Sequence, residues 1–242
     1  MAAPEGSGPA GDRPVAVVTG ATRGIGREVV AQLAARGHIV VLGARDERRG
    51  SEVARHLDPD ATTVHSCRLD VTDPASARRA ASWIQDTFGR ADVLVNNAGI
   101  DYDTDQDAVG ADLFRVRAAL ETNLFGAWQV TQALLPLLRG SPHPRIVNVS
   151  SEVGSISGMV GGTPGYSVSK AALNALTRLF ADELAGDRVL VNAVSPGLTA
   201  TDMGRGGGRS IAEGAAGIVW AAVLPDDGPS GGFYHDGRPL AW

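Results

Sequence analysis

At 242 residues, 43% of them hydrophobic and few aromatic, the chain is long enough to bury a core without disulfides or metals and fits one α/β domain. A formal net charge of −5 offers no basic face for nucleic acid, no apolar run reaches membrane-spanning length, and the N-terminus lacks the basic start and apolar core of a secretory signal. Cys67 is the single cysteine, which excludes an intramolecular disulfide and is compatible with a reducing, cytoplasmic setting.

Met1 to Asp12, rich in Ala, Gly and Pro, reads as a disordered leader, which leaves residues 13–242 for the fold. Val15 to Thr19 is an apolar run of the kind that forms a buried parallel strand, and the turn Gly20-Ala21-Thr22-Arg23-Gly24-Ile25-Gly26 follows it directly. A helix is expected from about Gly24 to Arg36. Strand, glycine turn and helix together open a dinucleotide-binding unit: glycines allow the backbone to approach a pyrophosphate, and the helix start presents free N–H groups. The spacing G-x-x-x-G-x-G differs from the familiar G-x-G-x-x-G.

The second strand, His38 to Leu42, leads to Gly43-Ala44-Arg45-Asp46. A carboxylate at this strand end accepts the ribose hydroxyls of NAD, whereas an arginine holds the extra phosphate of NADP. Arg45 with Arg23 would form a two-pronged phosphate clamp. Asp46 is the competing signal, but an N-cap of the next helix is its simpler role. The balance favours NADP(H). Both arginines are equally compatible with a solvated face.

A helix to Leu57 and a strand from Thr62 to Arg68 bring the chain to Asp70 and Val71, placed to meet an adenine amino group and ring. Asp73-Pro74 reads as N-cap and first residue of a helix that runs to Phe88 and ends at Gly89. The strand Asp92 to Val95 opens into Asn96-Asn97-Ala98-Gly99, whose small and amide side chains suit the crevice at a strand end. Four aspartates between Asp101 and Asp107 form a loop whose ordinary reading is a solvated surface; attraction of cationic substrates is the sharper alternative.

The helical segment 111–138 contains Asn123, which either satisfies a local backbone group or bends the helix. Arg145 to Val149 is the fifth strand and closes on Ser150-Ser151. Residues 154–165 form a glycine-rich lead into Tyr166-Ser167-Val168-Ser169-Lys170, the start of another helix. Lys170 is the only lysine in the chain. A position that declines arginine calls for a compact ammonium with rotatable donors, and the i, i+4 spacing puts Tyr166 and Lys170 on one helix face. Arg188 to Val194 is the sixth strand, followed by Ser195-Pro196-Gly197-Leu198-Thr199-Ala200-Thr201. Gly204 to Gly208 suits a short mobile lid. A helix from Ile211 to Leu224, a strand from Gly231 to His235 and a turn at Asp236-Gly237 complete the chain. The alternation argues an α/β doubly wound parallel sheet with helices on both faces.

With Thr19-Gly20-x3-Gly24-x-Gly26, Asn96-Asn97-Ala98-Gly99, Asn123, Ser150-Ser151, Tyr166-x3-Lys170 and Pro196-Gly197 in order, the chain resembles the short-chain dehydrogenase/reductase family from Val15 onward. Its tail is most similar to the carbonyl-reductase-like branch. The resemblance implies a single-domain Rossmann-type fold and a cytoplasmic NADPH-dependent reductase of ketones or aldehydes. In it Tyr166 is the general acid, Lys170 and the oxidised nicotinamide together lower the pKa of the phenol, and Lys170 bonds the nicotinamide ribose. Ser151 bonds the substrate oxygen, and Asn123 completes a water-mediated proton path from Lys170. Gly20, Thr22, Arg23, Gly24, Ile25, Gly26, Arg45, Asp70, Val71, Asn97, Ala98, Gly99, Pro196, Gly197, Thr199 and Thr201 hold the cofactor, with Thr201 and the Thr199 backbone fixing the carboxamide. The interval from Ser151 to Tyr166 is longer than the family's usual one, which keeps Ser150, Ser155 and Ser157 as rivals for the serine role. A non-catalytic NADP(H)-sensing regulator and an NAD-dependent alcohol dehydrogenase are the alternative functions. The expected partner is a small carbonyl or alcohol substrate, with no metal, nucleic acid or membrane. The segments 111–138 and 166–184 are candidates to pair in a homo-oligomer, although packing on the sheet accounts equally for their apolar residues.

Overall fold

Short β-branched runs separated by amphipathic stretches dictate the architecture, because each strand must bury both faces and each helix only one. The computed structural model describes residues 11–101, 103–204 and 206–242, so most of the expected leader lies outside the described residues. The strands are β1 (Val15–Val18), β2 (Ile39–Ala44), β3 (Val64–Arg68), β4 (Val93–Asn96), β5 (Arg145–Val149), β6 (Leu190–Ser195), β7 (Phe233–His235) and β8 (Arg238–Pro239). The helices are α1 (Gly24–Ala35), α2 (Glu47–Leu57), α3 (Pro74–Phe88), α4 (Leu113–Leu120), α5 (Gly126–Arg139), α6 (Pro164–Glu183) and α7 (Ile211–Ala222).

The strands form one sheet in the order β3-β2-β1-β4-β5-β6-β7-β8. Pairing is parallel throughout except for β7 with β8. The strand β8 is absent from the sequence reading: it is two residues long and contains Pro239, so its pattern carries no strand signal. The pleat divides the core. Val15 and Val17 of β1 face Ile84, Leu134 and Leu173 on one side, and Ala16 and Val18 face Val29, Leu33 and Ile218 on the other. Burying one such Leu or Ile side chain contributes roughly 1.5–3 kcal/mol, so the two layers hold the strand ends firmly at one edge. Strand order reverses between β1 and β4, and the crevice that this opens lies at their C-terminal ends.

Local signals set the helix boundaries. Asp46 accepts from Arg49 N at 3.0 Å and caps α2, while Asp73 accepts from Ala75 N at 2.8 Å and caps α3 ahead of Pro74. Gly89 closes α3 in the left-handed region. The expected helical segment over 111–138 runs without a gap through α4, a π-helical turn over Glu121–Phe125 and α5. That turn holds Asn123, the residue expected to disturb the helix. Among the described residues, no helix is long and apolar enough to cross a membrane.

Two loops carry contacts that the sequence reading did not include. The glycine segment expected to be a mobile lid is tied across its base: Ala200 N donates to Arg209 O at 2.9 Å and Arg209 N to Leu198 O at 3.0 Å. Gly206 N also donates to Thr201 O at 3.0 Å. In the acidic loop expected to be solvated, Asp105 and Asp107 are exposed as expected, and Asp103 is the exception. Asp105 pairs with Arg115, Asp107 accepts from Gly110 N at 2.8 Å, and Asp103 is buried.

Candidate active site

The end of β1 meets the end of β4 through Thr19, whose Oγ1 accepts from Asn97 N and Ala98 N, both at 3.0 Å. Asn97 returns the contact, its Nδ2 donating to Thr19 O at 2.8 Å and Gly20 O at 3.2 Å. Two glycines are required by this junction. Gly20 has φ +63°, and a Cβ there would lie 2.8 Å from Ala98 Cα; a Cβ on Gly26 would lie 2.3 Å from Asn97 Nδ2. The start of α1 therefore sits directly on the β4 strand end, with the first-turn amides turned toward the crevice. The glycine turn and the start of α1 form a cradle of the kind that suits a dinucleotide's pyrophosphate, and Gly20 and Gly26 allow it by letting the turn pack against Ala98 and Asn97.

Around the cradle the expected cofactor residues are brought together unequally. Thr201 packs over Gly24, where a Cβ would come 3.4 Å from its Cγ2. Asp70 lies at the end of β3 with its Oδ1 accepting from Thr72 N and Oγ1, and Val71 is buried against Gly126. Thr22 and Ile25 flank the glycine turn and are partly exposed. Pro196 and Gly197 follow β6, and buried Thr199 donates through its hydroxyl to Gly197 O at 3.1 Å. Arg23 and Arg45 are both exposed, and Arg23 is ion-paired with Asp202. Asp46, the rival to Arg45, is committed to its cap.

The second cluster stands on β5, the π-helical turn and α6. Lys170 is 4% exposed, donates from Nζ to Val149 O at 2.7 Å and lies 5.5 Å from the centre of the Tyr166 ring. Gly99 closes the space above it, since a Cβ there would come 3.4 Å from Asn123 Oδ1 and 3.6 Å from Lys170 Nζ. The Asn123 amide is fully engaged: Nδ2 donates to Ile100 O and Ser169 Oγ at 2.9 Å each, and Oδ1 accepts from Ile100 N at 2.8 Å. Ser169 Oγ in turn donates to Tyr166 O at 2.7 Å. Sequence reasoning quoted Thr19 and Ser169 only as members of motifs. Their roles are pairings across distant elements, which no local pattern reports.

Geometry separates the rival serines. Ser150 is buried and donates to Asn174 Oδ1 at 2.6 Å, away from the crevice, while Ser155 and Ser157 hydrogen-bond to each other at 3.1 Å. Ser151 interacts with the phenol of Tyr166 and acts to lower its pKa. Burial outweighs that effect, and with a smaller contribution from the negative charge of Asp101 it pushes the phenol up to about 12. Burial also lowers Lys170 to about 8. Desolvation thus dominates for both groups in the chain itself.

A groove of about 160 Å³ runs beside this cluster, between Val153 and Val160 on one side and Thr163 and Ser167 on the other. A larger one, about 270 Å³, lies at the opposite edge of the sheet around Val189 and Leu190, and contains none of these residues. Among the described residues, no group of acidic, histidine or cysteine side chains could hold a metal ion.

Residues 14–209 match the short chain dehydrogenase family. Short-chain dehydrogenase/reductase 1 of Saponaria officinalis is 36% identical over 282 aligned positions, covering 90% of this chain and 93% of that protein. Carbonyl reductase [NADPH] 1 of Mus musculus is 33% identical, covering 95% of this chain and 99% of its own length. The crystal structure of NADPH-bound carbonyl reductase from chicken fatty liver superposes with a TM-score of 0.85 at 29% identity, covering 95% of this chain and all of that one. The chain belongs to the short-chain dehydrogenase/reductase family and sits with its carbonyl-reductase-like branch.

Proposed function

We propose that this protein is an NADPH-dependent reductase that converts the carbonyl of a ketone or aldehyde to an alcohol, with Tyr166 as general acid, and that residues 13–242 act as one domain. The observation that carries the reading is the interaction of the Tyr166 phenol with the Ser151 side chain, with the buried Lys170 Nζ 5.5 Å from the centre of the same ring. The names of the relatives, carbonyl reductases described with NADPH, support the cofactor and the reaction class.

When bound, NADPH supplies hydride to the carbonyl carbon. Tyr166 donates its proton to the carbonyl oxygen, and a phenol with a raised pKa remains protonated across the neutral range. Ser151 donates a hydrogen bond to the same oxygen and orients it. Lys170, positively charged below about pH 8, stabilises the phenolate left behind and offers its remaining donors to ribose hydroxyls. Asn123 is held by its amide, and the π-helical turn loosens the local backbone so that a carbonyl there can receive water on the path from Lys170 to solvent. Gly20, Thr22, Gly24, Ile25 and Gly26 seat the pyrophosphate. Arg45, with Arg23 once released from Asp202, holds the 2′-phosphate. Asp70 and Val71 receive the adenine, Asn97, Ala98 and Gly99 the ribose, and Pro196, Gly197, Thr199 and Thr201 the carboxamide.

Following NADPH oxidation by absorbance with a panel of ketones and aldehydes tests the reading. Turnover with at least one carbonyl class and a preference for NADPH over NADH is expected. Tight NADPH binding with no turnover across the panel would favour a sensor instead.

A further inference from the structure

Helix α6 carries both Tyr166 and Lys170, and its first turn lacks a cap of its own. Thr163 precedes it in the left-handed region, with φ 41°, and makes no side-chain cap bond. The first-turn donors can nonetheless be accounted for one by one. Pro164 has no N–H, and Ser167 N donates within the turn to Thr163 O at 2.9 Å. The two between them go to Asp103, which reaches in from the loop after β4: Gly165 N donates to its Oδ2 and Tyr166 N to its Oδ1 at 3.4 Å.

Asp103 is 1% exposed, so this carboxylate is a buried fixture of the fold. Its negative charge faces the positive end of α6, where burial strengthens the attraction. Gly165 makes the approach possible: a Cβ there would lie 2.9 Å from both Asp103 Oδ2 and Val116 Cα. The loop is itself anchored, through Gln106 N donating to Asp103 O at 3.0 Å and through the Asp105–Arg115 pair to α4. The same carboxylate thus holds the amide of the residue whose phenol meets Ser151.

We propose that Asp103 is a positioning residue for the reaction, fixing the start of α6 so that the Tyr166 phenol stays within reach of Ser151 and the substrate oxygen. This rests on the reading of Tyr166 as the acid. Asp103 touches neither substrate nor cofactor in this account; it acts through the helix it caps.

The test compares Asp103→Ala, Asp103→Asn and, as a control in the same loop, Asp105→Ala, with Tyr166→Phe assayed in parallel. A misplaced acid slows the chemical step, and a displacement of about 1 Å can cost about 100-fold in rate. Asp103→Ala should therefore lower kcat by roughly that factor, with KM and NADPH affinity within about threefold, and raise the solvent deuterium isotope effect on kcat. Asp103→Asn keeps one acceptor and should recover about tenfold of the loss. Should the alanine variant fail to fold, Asp103→Asn carries the test through its lowered kcat and raised isotope effect. Unchanged kcat and isotope effect in the folded Asp103 variants, or an equal loss in Asp105→Ala, overturns the proposal. If this happens while Tyr166→Phe is inactive, the acid reading survives and only the positioning role falls. If Tyr166→Phe turns over like the wild type, the acid reading falls and the positioning role with it.

Discussion

Lys170 Nζ stands 5.5 Å from the centre of the Tyr166 ring, one turn along the same face of α6. Burial moves the pair in opposite directions, the phenol up to about 12 and the ammonium down to about 8, and each shift favours the neutral form. The outcome at neutral pH is a protonated phenol beside a lysine that still holds its proton, which is the state a carbonyl reduction needs at its outset.

This relationship fixes a pH dependence. The profile of kcat/KM reports groups of the free enzyme, so reduction should weaken as pH rises through about 8, where Lys170 loses its charge. Lys170→Arg, whose guanidinium does not titrate there, should be less active but lack that limb. The sign for stability follows the same shift. The folded value lies below the ordinary 10.5, so between about pH 8 and 10.5 the unfolded chain binds the proton more strongly, and stability contributed by this site rises with pH. Thermal unfolding of Lys170→Met across that window should show a smaller rise than the wild type.

The serines separate stability from turnover. Ser151→Ala should reduce kcat by about 100-fold or more with little change in unfolding temperature, because its hydroxyl faces the phenol at the crevice. Ser150→Ala removes the donor to Asn174 inside the fold and should cost about 1–3 kcal/mol of stability while turnover persists. Steady-state kinetics and denaturant unfolding of the two variants check the assignment, and the reverse pattern would transfer the role to Ser150.

The proposed preference for NADPH assigns the 2′-phosphate to exposed arginines. Arg45→Asp should shift the NADPH to NADH preference by about tenfold or more, the equivalent of one lost charge-assisted phosphate bond. Asp202→Ala frees Arg23, and because that ion pair is exposed it should scarcely alter stability. Titrations with both nucleotides should show tighter NADPH binding by Asp202→Ala and no gain for NADH.

How much of this was legible in the sequence depends on the range of each interaction. The caps at Asp46 and Asp73, the glycine turn and the same-face pairing of Tyr166 with Lys170 are all decided within a few residues, and local reading reached them. Asp103 and Gly165 are 62 residues apart, and Arg23 and Asp202 are 179 apart. Nothing in an acidic loop or a lone arginine announces such partners, so Asp103 was read with its solvated neighbours and the pairing of Arg23 with Asp202 was not seen. The burial that raises the Tyr166 phenol in the chain itself is a property of the packed site, whereas the lysine four residues away is visible in the sequence.

The most direct measurement is single-turnover hydride transfer by Tyr166→Phe, using a carbonyl compound that the wild type reduces. The phenylalanine keeps the ring and removes only the proton donor. General acid catalysis is worth about 100- to 10,000-fold, and the account predicts a loss in that range with NADPH binding unchanged. Hydride transfer at the wild-type rate would contradict it.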